Sequence, residues 1–211
     1  ASAIASATRA VPEPNSAQYG QVLPDLLKKG ILTSGGRAFV LFTAYSLLNK
    51  MFAALEQPLR AQNIALLRQG QENRHQLLNR FRDDVSSVLF ATDSFWEGVD
   101  VPGEALTQVI IPRLPFRVPS EPVIEARVEA IDKSGGNSFM EYTVPQAVLK
   151  FKQGFGRLIR NRSDYGAILL LDNRVVSKYY GRLFLASLPE CQVVIGAAED
   201  VFERIGAFLA R

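Results

Sequence analysis

The chain has 211 residues, a formal net charge of +3, 47% hydrophobic residues and 21% charged residues. This length and composition suit one globular domain with a sizeable core, and they exclude an intrinsically disordered chain because apolar content is high and net charge is low. No run approaches the roughly 20 apolar residues of a membrane-spanning helix. The chain has one cysteine, Cys191, and one histidine, His75. These counts exclude disulfide frameworks, cysteine-ligated clusters and multi-histidine metal sites within this chain.

The amino end is predicted to be a flexible linker over residues 1–16, followed by a folded domain over residues 17–211. The first ten residues are rich in Ala and Ser but lack the basic lead and apolar run of a secretion signal. Pro12 and Pro14 favour extended backbone in the stretch that follows. Because the first residue is not Met, we expect a processed chain or a fragment, and the lone cysteine favours a reducing compartment.

Further along, short apolar runs alternate with amphipathic stretches, as in a layered α/β domain. The predicted strands cover residues 38–42, 64–67, 88–91, 109–111, 167–171 and 193–195. The predicted helices cover residues 45–55, closed by Pro58, then 73–82, 123–132, 145–159 and 199–210. This alternation predicts a doubly wound parallel sheet flanked by helices. Ligands of such sheets bind beyond the carboxyl ends of the strands, which directs attention to residues 43–46, 69–70, 92–100, 113–117 and 172–174.

The charge of the chain is unevenly distributed. Residues 150–182 contain eight Lys and Arg residues against two acids, a net charge of +6 that leaves −3 for the remainder. A basic region of this kind is typical of polyanion binding. A solvated helix face is the alternative interpretation.

Within this basic segment, Gln153, Arg157 and Arg160 are spaced i, i+4 and i+7, which places them on one face if the helix continues. Two guanidinium groups one turn apart repel unless an anion lies between them, and phosphate fits their planar forks. Gly154 and Gly156 are unfavourable in a helix and suggest close approach of a ligand to the backbone. The alternative is a helix end whose arginines offset its dipole.

A second group of polar residues spans 92–100, directly after a predicted buried strand. Glu97 and Asp100 are candidates to pair with the arginines or to hold a ribose hydroxyl, and Gly98 permits a tight turn. The alternative is a capped loop with Trp96 as a core anchor. A third group, Thr43 to Ser46, lies where a strand leads into a helix, and its hydroxyl and N–H groups suit a phosphate or a simple helix cap.

Two glycine patterns carry no nucleotide motif. Residues 30–37 have the glycine spacing of a P-loop, but they lack its Lys-Ser/Thr ending and precede a strand, so a turn is predicted there. Residues 154–159 lack the third glycine of a dinucleotide-binding turn and end a helix.

Taken together, these groups resemble the motifs of the second motor domain of superfamily 2 helicases of the DinG/XPD-like group. The segment Q-G-F-G-R-L-I-R at 153–160 resembles motif VI, A-T-D-S-F-W-E-G-V-D at 91–100 resembles motif V, and L-F-T-A-Y at 41–45 resembles motif IV. Leu114-Pro115-Phe116 and Pro145-Gln146-Ala147 are further matches. The similarity extends over about residues 36–189 and is greatest to the bacterial DinG-like branch.

This resemblance implies a RecA-like domain without its own P-loop, which sandwiches ATP against a first motor domain. Arg157 and Arg160 would then face the γ-phosphate as arginine fingers, with Gln153 sensing it. Glu97, Gly98, Asp100 and Gly156 would line the nucleotide cleft. The resemblance further implies that single-stranded DNA contacts Thr43, Tyr45, Ser46 and Thr92, and that translocation runs 5′ to 3′.

The family usually carries a hydroxyl where this chain has Ala44, a departure within motif IV. The P-loop lysine, the Mg²⁺ ligands and any iron–sulfur cluster are expected in a first motor domain outside this sequence, so the fragment alone is not expected to hydrolyse ATP. The resemblance implies a cytoplasmic DNA helicase of the bacterial cytosol or nucleoid, with no membrane partner. Two alternatives remain open: a non-catalytic nucleic-acid-binding or adaptor domain with a degenerate helicase fold, and an RNA helicase domain.

Overall fold

A computed structural model describes residues 3–96, 105–118, 120–160 and 164–211, without the side chains of Asp93 and Trp96. The strands within these ranges are β1 Ala3–Thr8, β2 Ala38–Phe42, β3 Leu66–Arg68, β4 Val88–Thr92, β5 Gln108–Ile111, β6 Gly166–Leu170 and β7 Gln192–Gly196. The longer helices are α1 Ala17–Ser34, α2 Tyr45–Arg60, α3 Arg74–Asp83, α5 Pro122–Lys133, α6 Val144–Phe155 and α9 Ala198–Leu209. Shorter helices are α4 Asp93–Trp96, α7 Arg174–Ser177 and α8 Gly181–Ala186, and a π-helical turn, Phe139–Thr143, leads into α6.

The described strands form one seven-stranded sheet in the order β3-β4-β2-β5-β6-β1-β7, and every neighbouring pair is parallel. Parallel strands require crossover connections, and helices supply them on both faces. The predicted doubly wound α/β architecture is therefore confirmed.

Alternating side chains of each strand serve two separate cores. In β2, Phe39 and Leu41 join one apolar cluster with α3, α6 and α8, whereas Val40 and Phe42 join the other with α1, α2 and α9. Both sets are almost completely buried. This two-sided burial explains why the strand reads as a continuous apolar run instead of an alternating one.

The prediction of a flexible linker over residues 1–16 is wrong for residues 3–8. These residues form β1, which lies between β6 and β7 and pairs with both in parallel register. All six are buried, including Ser6 and Thr8. Residues 9–16 turn over the carboxyl edge of the sheet, where Ser16 caps α1 by accepting from the Tyr19 amide.

Three further predictions are corrected. Helix α1 occupies residues for which no helix was predicted, and the turn expected over residues 30–37 is confined to Gly35 and Gly36, since α1 continues to Ser34. Helix α2 contains Pro58 and ends at Arg60. Helix α6 ends at Phe155, short of the predicted residue 159.

Candidate functional site

The predicted site residues divide between the two edges of the sheet. Helix α6 runs back across the sheet, so the residues that follow it lie at the amino edge, near the start of β6. Leu158 marks this position, because its side chain packs where a Cβ on Gly166, the first residue of β6, would lie. Thr43, Tyr45, Ser46 and Thr92 lie at the carboxyl edge, at the ends of β2 and β4. The predicted site residues therefore do not all lie at the carboxyl ends of the strands.

At the amino edge, the arginines lie on a turn instead of a helix. The Arg157 amide donates to the Gly154 carbonyl at 3.3 Å, and the Arg160 amide leaves the helical pattern to donate to the Asp164 carboxylate at 2.7 Å. Arg157 is half-buried, whereas Gln153 and Arg160 are exposed. The prediction that a continuous helix aligns all three on one face is wrong, because the helix ends before Arg157.

Gly156 caps the end of α6 in ordinary right-handed backbone, with φ −61° and ψ −11°. Any residue can adopt this conformation. A Cβ at this position would meet only backbone oxygens at 3.5 Å. Neither the backbone conformation nor the surrounding space therefore requires glycine here.

Motif V begins at the carboxyl edge of the sheet, and the described residues that next lead into β5 lie at the amino edge. Thr92 ends β4 at the carboxyl edge, and Thr107 lies at the amino edge, where its amide donates to the Arg37 carbonyl at 2.8 Å. Glu97, Gly98 and Asp100 lie outside the described residues. Their roles in the nucleotide cleft stay predictions.

The predicted strand-contacting residues differ in accessibility. Tyr45 and Ser46 are exposed at the start of α2, and Thr43 is half-buried. Thr92 is only 7% exposed, and its hydroxyl donates to the Gln69 side-chain oxygen at 3.0 Å. Thr92 is therefore buried beneath the surface of the carboxyl edge, where it holds Gln69, whereas the side chains of Tyr45 and Ser46 are exposed to solvent.

A groove of about 510 Å³ extends from the start of α2 across the ends of β5 and β6. We call it the carboxyl-edge groove. Its lining residues are Thr43, Ala44, Arg113, Leu114, Pro115, Phe116, Arg117, Val118, Ser120, Glu121, Ile124, Lys150 and Arg174. Four of these residues are cationic and one is acidic. Residues 113–117 and 172–174 follow predicted strands, but the sequence patterns identified none of them as a site residue.

Asp172 organises this groove from beneath. Its buried carboxylate accepts from the Leu114 amide at 2.7 Å and from two nitrogens of the Arg174 side chain, at 2.6 and 3.0 Å. The guanidinium of Arg174 lies 5.2 Å from the centre of the Phe116 ring. Burial opposes the charge of Arg174, but the hydrogen bond and negative charge of Asp172 outweigh it and raise the pKa of Arg174. The groove therefore carries a fixed, permanently charged cation stacked on an aromatic ring.

The segment before α1 packs against the same edge. The side-chain oxygen of Asn15 accepts from Arg113 at 2.5 Å, and Glu13 pairs with Lys178 at 3.4 Å. The buried Tyr19 hydroxyl donates to the Pro112 carbonyl. Burial, followed by the charge of Asp172, raises the pKa of Tyr19 far above its ordinary value, so this donor stays protonated at physiological pH.

We expect Asp172→Ala to lower the free energy of unfolding by about 3 kcal/mol, because it leaves a half-buried guanidinium and a buried amide without their acceptor. Urea unfolding measures this loss. Asp25→Ala, at an exposed position of α1, is the matched control and should change stability little. If Asp172→Ala lowered the free energy of unfolding no more than the control does, Asp172 would not stabilise the groove.

Within the described residues, no group of three or more His, Cys, Asp or Glu side chains is arranged to hold a metal ion. In that same part of the chain, no helix combines the length and apolarity needed to cross a bilayer.

Comparison with known families identifies the domain. The model of the helicase C-terminal domain matches residues 28–191. The chain belongs to the helicase C-terminal domain family. The matched range contains motifs IV, V and VI, the carboxyl-edge groove and the arginine-bearing turn, so both edges of this helicase domain belong to the family's common region.

Curated relatives of this helicase domain include YoaA and DinG proteins. It is 41% identical over 181 residues to the ATP-dependent DNA helicase YoaA of Haemophilus influenzae, covering 86% of this chain and 28% of that protein. It is 40% identical to the ATP-dependent DNA helicase DinG of Photobacterium profundum, covering 87% and 27% respectively. The 3′-5′ exonuclease DinG of Bacillus subtilis is 43% identical over 159 residues, which cover 74% of this chain and 17% of that protein. The chain thus spans less than a third of each of these relatives.

Solved structures agree on the fold of this helicase domain. Xpd4 of S. tokodaii superposes with a TM-score of 0.67 at 17% identity, covering 92% of this chain and 38% of that one. The C-terminal domain of the DEAD-box protein Dbp5 superposes with a TM-score of 0.54 at 16% identity, covering 99% and 97%. These similarities support the RecA-like fold predicted from the motifs.

Proposed function

We propose that this chain is the second motor domain of an ATP-dependent DNA helicase that translocates 5′ to 3′ along a single strand. Family membership and the DNA helicase relatives support the class of enzyme. The observation that carries the proposal is the carboxyl-edge groove. It holds Arg174, which stays protonated and stacks on Phe116, together with three further cationic side chains, beside the exposed start of α2.

The single strand is proposed to follow the carboxyl-edge groove. Arg113, Arg117, Lys150 and Arg174 offer positive charge to successive phosphates, and Tyr45 and Ser46 extend the track along α2. Phosphate contacts carry no base preference, so binding would be tolerant of sequence and sensitive to salt. Thr92 would act beneath this surface, through Gln69, instead of touching the strand.

ATP is proposed to bind at the opposite, amino edge, between this domain and a first motor domain of the same polypeptide. Arg157 and Arg160 would stabilise the charge that develops on the transferred phosphoryl group, with Gln153 sensing it. Glu97, Gly98, Asp100 and Gly156 would complete the cleft. The Mg²⁺ ligands and any iron–sulfur cluster are proposed to lie outside this chain, and the bacterial cytosol is the proposed location.

The groove assignment predicts a specific salt dependence. Arg117→Ala should weaken binding of a dT oligonucleotide and reduce the slope of log affinity against log salt by about 0.7, the value for one phosphate contact to a single strand. Fluorescence anisotropy at several salt concentrations measures both quantities. Arg60→Ala removes an exposed arginine that pairs only locally with Glu56 and serves as the control. An unchanged slope in Arg117→Ala would place the strand elsewhere.

Two outcomes separate the remaining alternatives in the full-length protein. A wild-type protein that binds single-stranded DNA without hydrolysing ATP would support the non-catalytic adaptor instead of a motor. Unwinding of RNA duplexes in preference to DNA duplexes would support the RNA helicase alternative.

A further inference from the structure

The connection between β3 and α3 contacts two predicted strand-binding residues, Tyr45 and Thr92, and the first turn of α4. Gln69, its first residue, is half-buried and has no role in the site described above beyond holding Thr92. The side-chain oxygen of Gln69 accepts from the Thr92 amide at 2.8 Å and from the Thr92 hydroxyl at 3.0 Å. The side-chain nitrogen donates to the Ser94 hydroxyl at 3.2 Å. One amide thus holds the end of β4 and the first turn of α4.

The orientation of this amide is determined by its partners. A backbone N–H can only donate, so the Thr92 amide requires the oxygen of Gln69 on its side. The nitrogen must then face Ser94, whose hydroxyl can accept. All three hydrogen bonds depend on a carboxamide or an equivalent acceptor, and a side chain of the same shape without polar atoms makes none of them.

The other end of the connection is tied to the strand-binding surface. The Tyr45 hydroxyl donates to the Gln69 carbonyl at 2.6 Å. The hydroxyl end of the Tyr45 side chain lies against Gly70, which has φ +93°, and a Cβ on Gly70 would lie 2.5 Å from the Tyr45 hydroxyl oxygen. Exposed Tyr45 therefore contacts the same loop that holds Thr92 and Ser94.

A second residue of the same region holds α4 independently. Arg74, at the start of α3, donates to the Phe95 carbonyl at 3.2 Å, and its guanidinium lies 5.1 Å from the centre of the buried Phe95 ring. The chain then continues directly into Glu97, Gly98 and Asp100. A shift of the loop at Gln69 would act on α4 through Ser94, the residue before Phe95.

We infer that Gln69 is a positioning residue that couples single-strand binding at Tyr45 to ATP hydrolysis through Thr92, Ser94 and helix α4. This inference rests on the proposed helicase function. Strand contact at Tyr45 shifts or stiffens the Gln69–Gly70 loop, and Gln69 conveys that change to Thr92 and Ser94. Two segments that share one hydrogen-bonded intermediary have linked conformations, and this is the physical requirement for coupling.

The test measures, in the full-length protein, the ratio of ATP hydrolysis with a saturating dT oligonucleotide to hydrolysis without it. Gln69→Leu keeps the shape of the side chain and removes all three hydrogen bonds, so the ratio should fall about tenfold. Affinity for the oligonucleotide and the thermal unfolding temperature should change little. Gln69→Glu retains the acceptor for Thr92, and the Ser94 hydroxyl can reverse to donate, so this variant should recover most of the ratio.

The matched control is Gln71→Ala. Gln71 is an exposed glutamine of the same connection that accepts only from the Arg68 amide at 3.0 Å, and its loss should leave the ratio as in wild type. An unchanged ratio in Gln69→Leu, or equal losses in the Leu and Glu variants, would overturn the inference. Absence of DNA stimulation in the wild type would instead contradict the helicase proposal, and this inference with it.

Discussion

Replacing Arg160 by Ala in the full-length protein is expected to slow ATP hydrolysis at least about a thousandfold, the usual contribution of an arginine finger. Binding of a dT oligonucleotide should remain largely intact, because Arg160 lies at the amino edge and the carboxyl-edge groove lies at the opposite end of the strands. The side chain is exposed, and its backbone amide is held by Asp164. Folding should therefore tolerate the change. Steady-state hydrolysis and fluorescence anisotropy measure the two activities.

Two variants control this experiment. Arg160→Lys keeps the positive charge but removes the planar fork, so it should restore only a small part of the rate. Arg60→Ala, on the exposed face of α2, should hydrolyse ATP like wild type. If Arg160→Ala lost hydrolysis and strand binding to the same extent, the two sites would not be separate and the assignment of edges would fail.

Deleting residues 1–9 is expected to abolish cooperative folding of the domain. The deletion removes β1 from between β6 and β7, together with every backbone hydrogen bond that joins those strands to it. It also leaves the facing backbone edges of both neighbours unpaired. Circular dichroism during urea titration should show no cooperative transition. A flexible linker, in contrast, would be removed without effect.

Point variants separate the loss of β1 from shortening of the chain. Ala5 is fully buried in the middle of β1, so Ala5→Asp places an unpaired carboxylate in the core and costs several kcal/mol, a large part of the stability of a typical domain. Ala10→Asp changes an exposed position just beyond the strand and should have little effect. Equal stability of the two variants would contradict the central position of β1.

The sequence patterns predicted those elements whose own residues are apolar enough to indicate burial. Strand β2 is a continuous apolar run, and it pairs as expected with its neighbours. Strand β1 has the sequence Ala-Ile-Ala-Ser-Ala-Thr, with three alanines that have little intrinsic preference for a strand. Its conformation is imposed by pairing with β6 and β7, which are more than 150 residues away in the chain.

Helix α1 was missed for a related reason. The helix contains Gly20, Pro24 and Gly30, and each of these residues disfavours a helix in isolation. Its buried residues nevertheless recur every four positions, at Tyr19, Leu23, Leu27 and Ile31. Packing against the sheet outweighs the local preferences, and that packing is a property of the tertiary structure.

The site shows the same division. The spacing of the arginines predicts a phosphate-binding role, which stays a prediction, and their predicted alignment on one helical face is wrong because α6 ends at Phe155. The carboxyl-edge groove escaped prediction as a unit because it is assembled from the start of α2, the segment after β5, the middle of α6 and the start of α7. No local pattern links these four segments.

The sequence by itself determined the class of fold and the types of side chain available for chemistry, because hydrophobic periodicity and motif residues are local properties of the chain. The tertiary structure alone decided which edge each motif occupies. In a parallel sheet every crossover helix returns the chain to the opposite edge. The length of that helix therefore determines at which edge the residues after it lie. For this domain, that return places the arginines at the amino edge and the groove at the carboxyl edge.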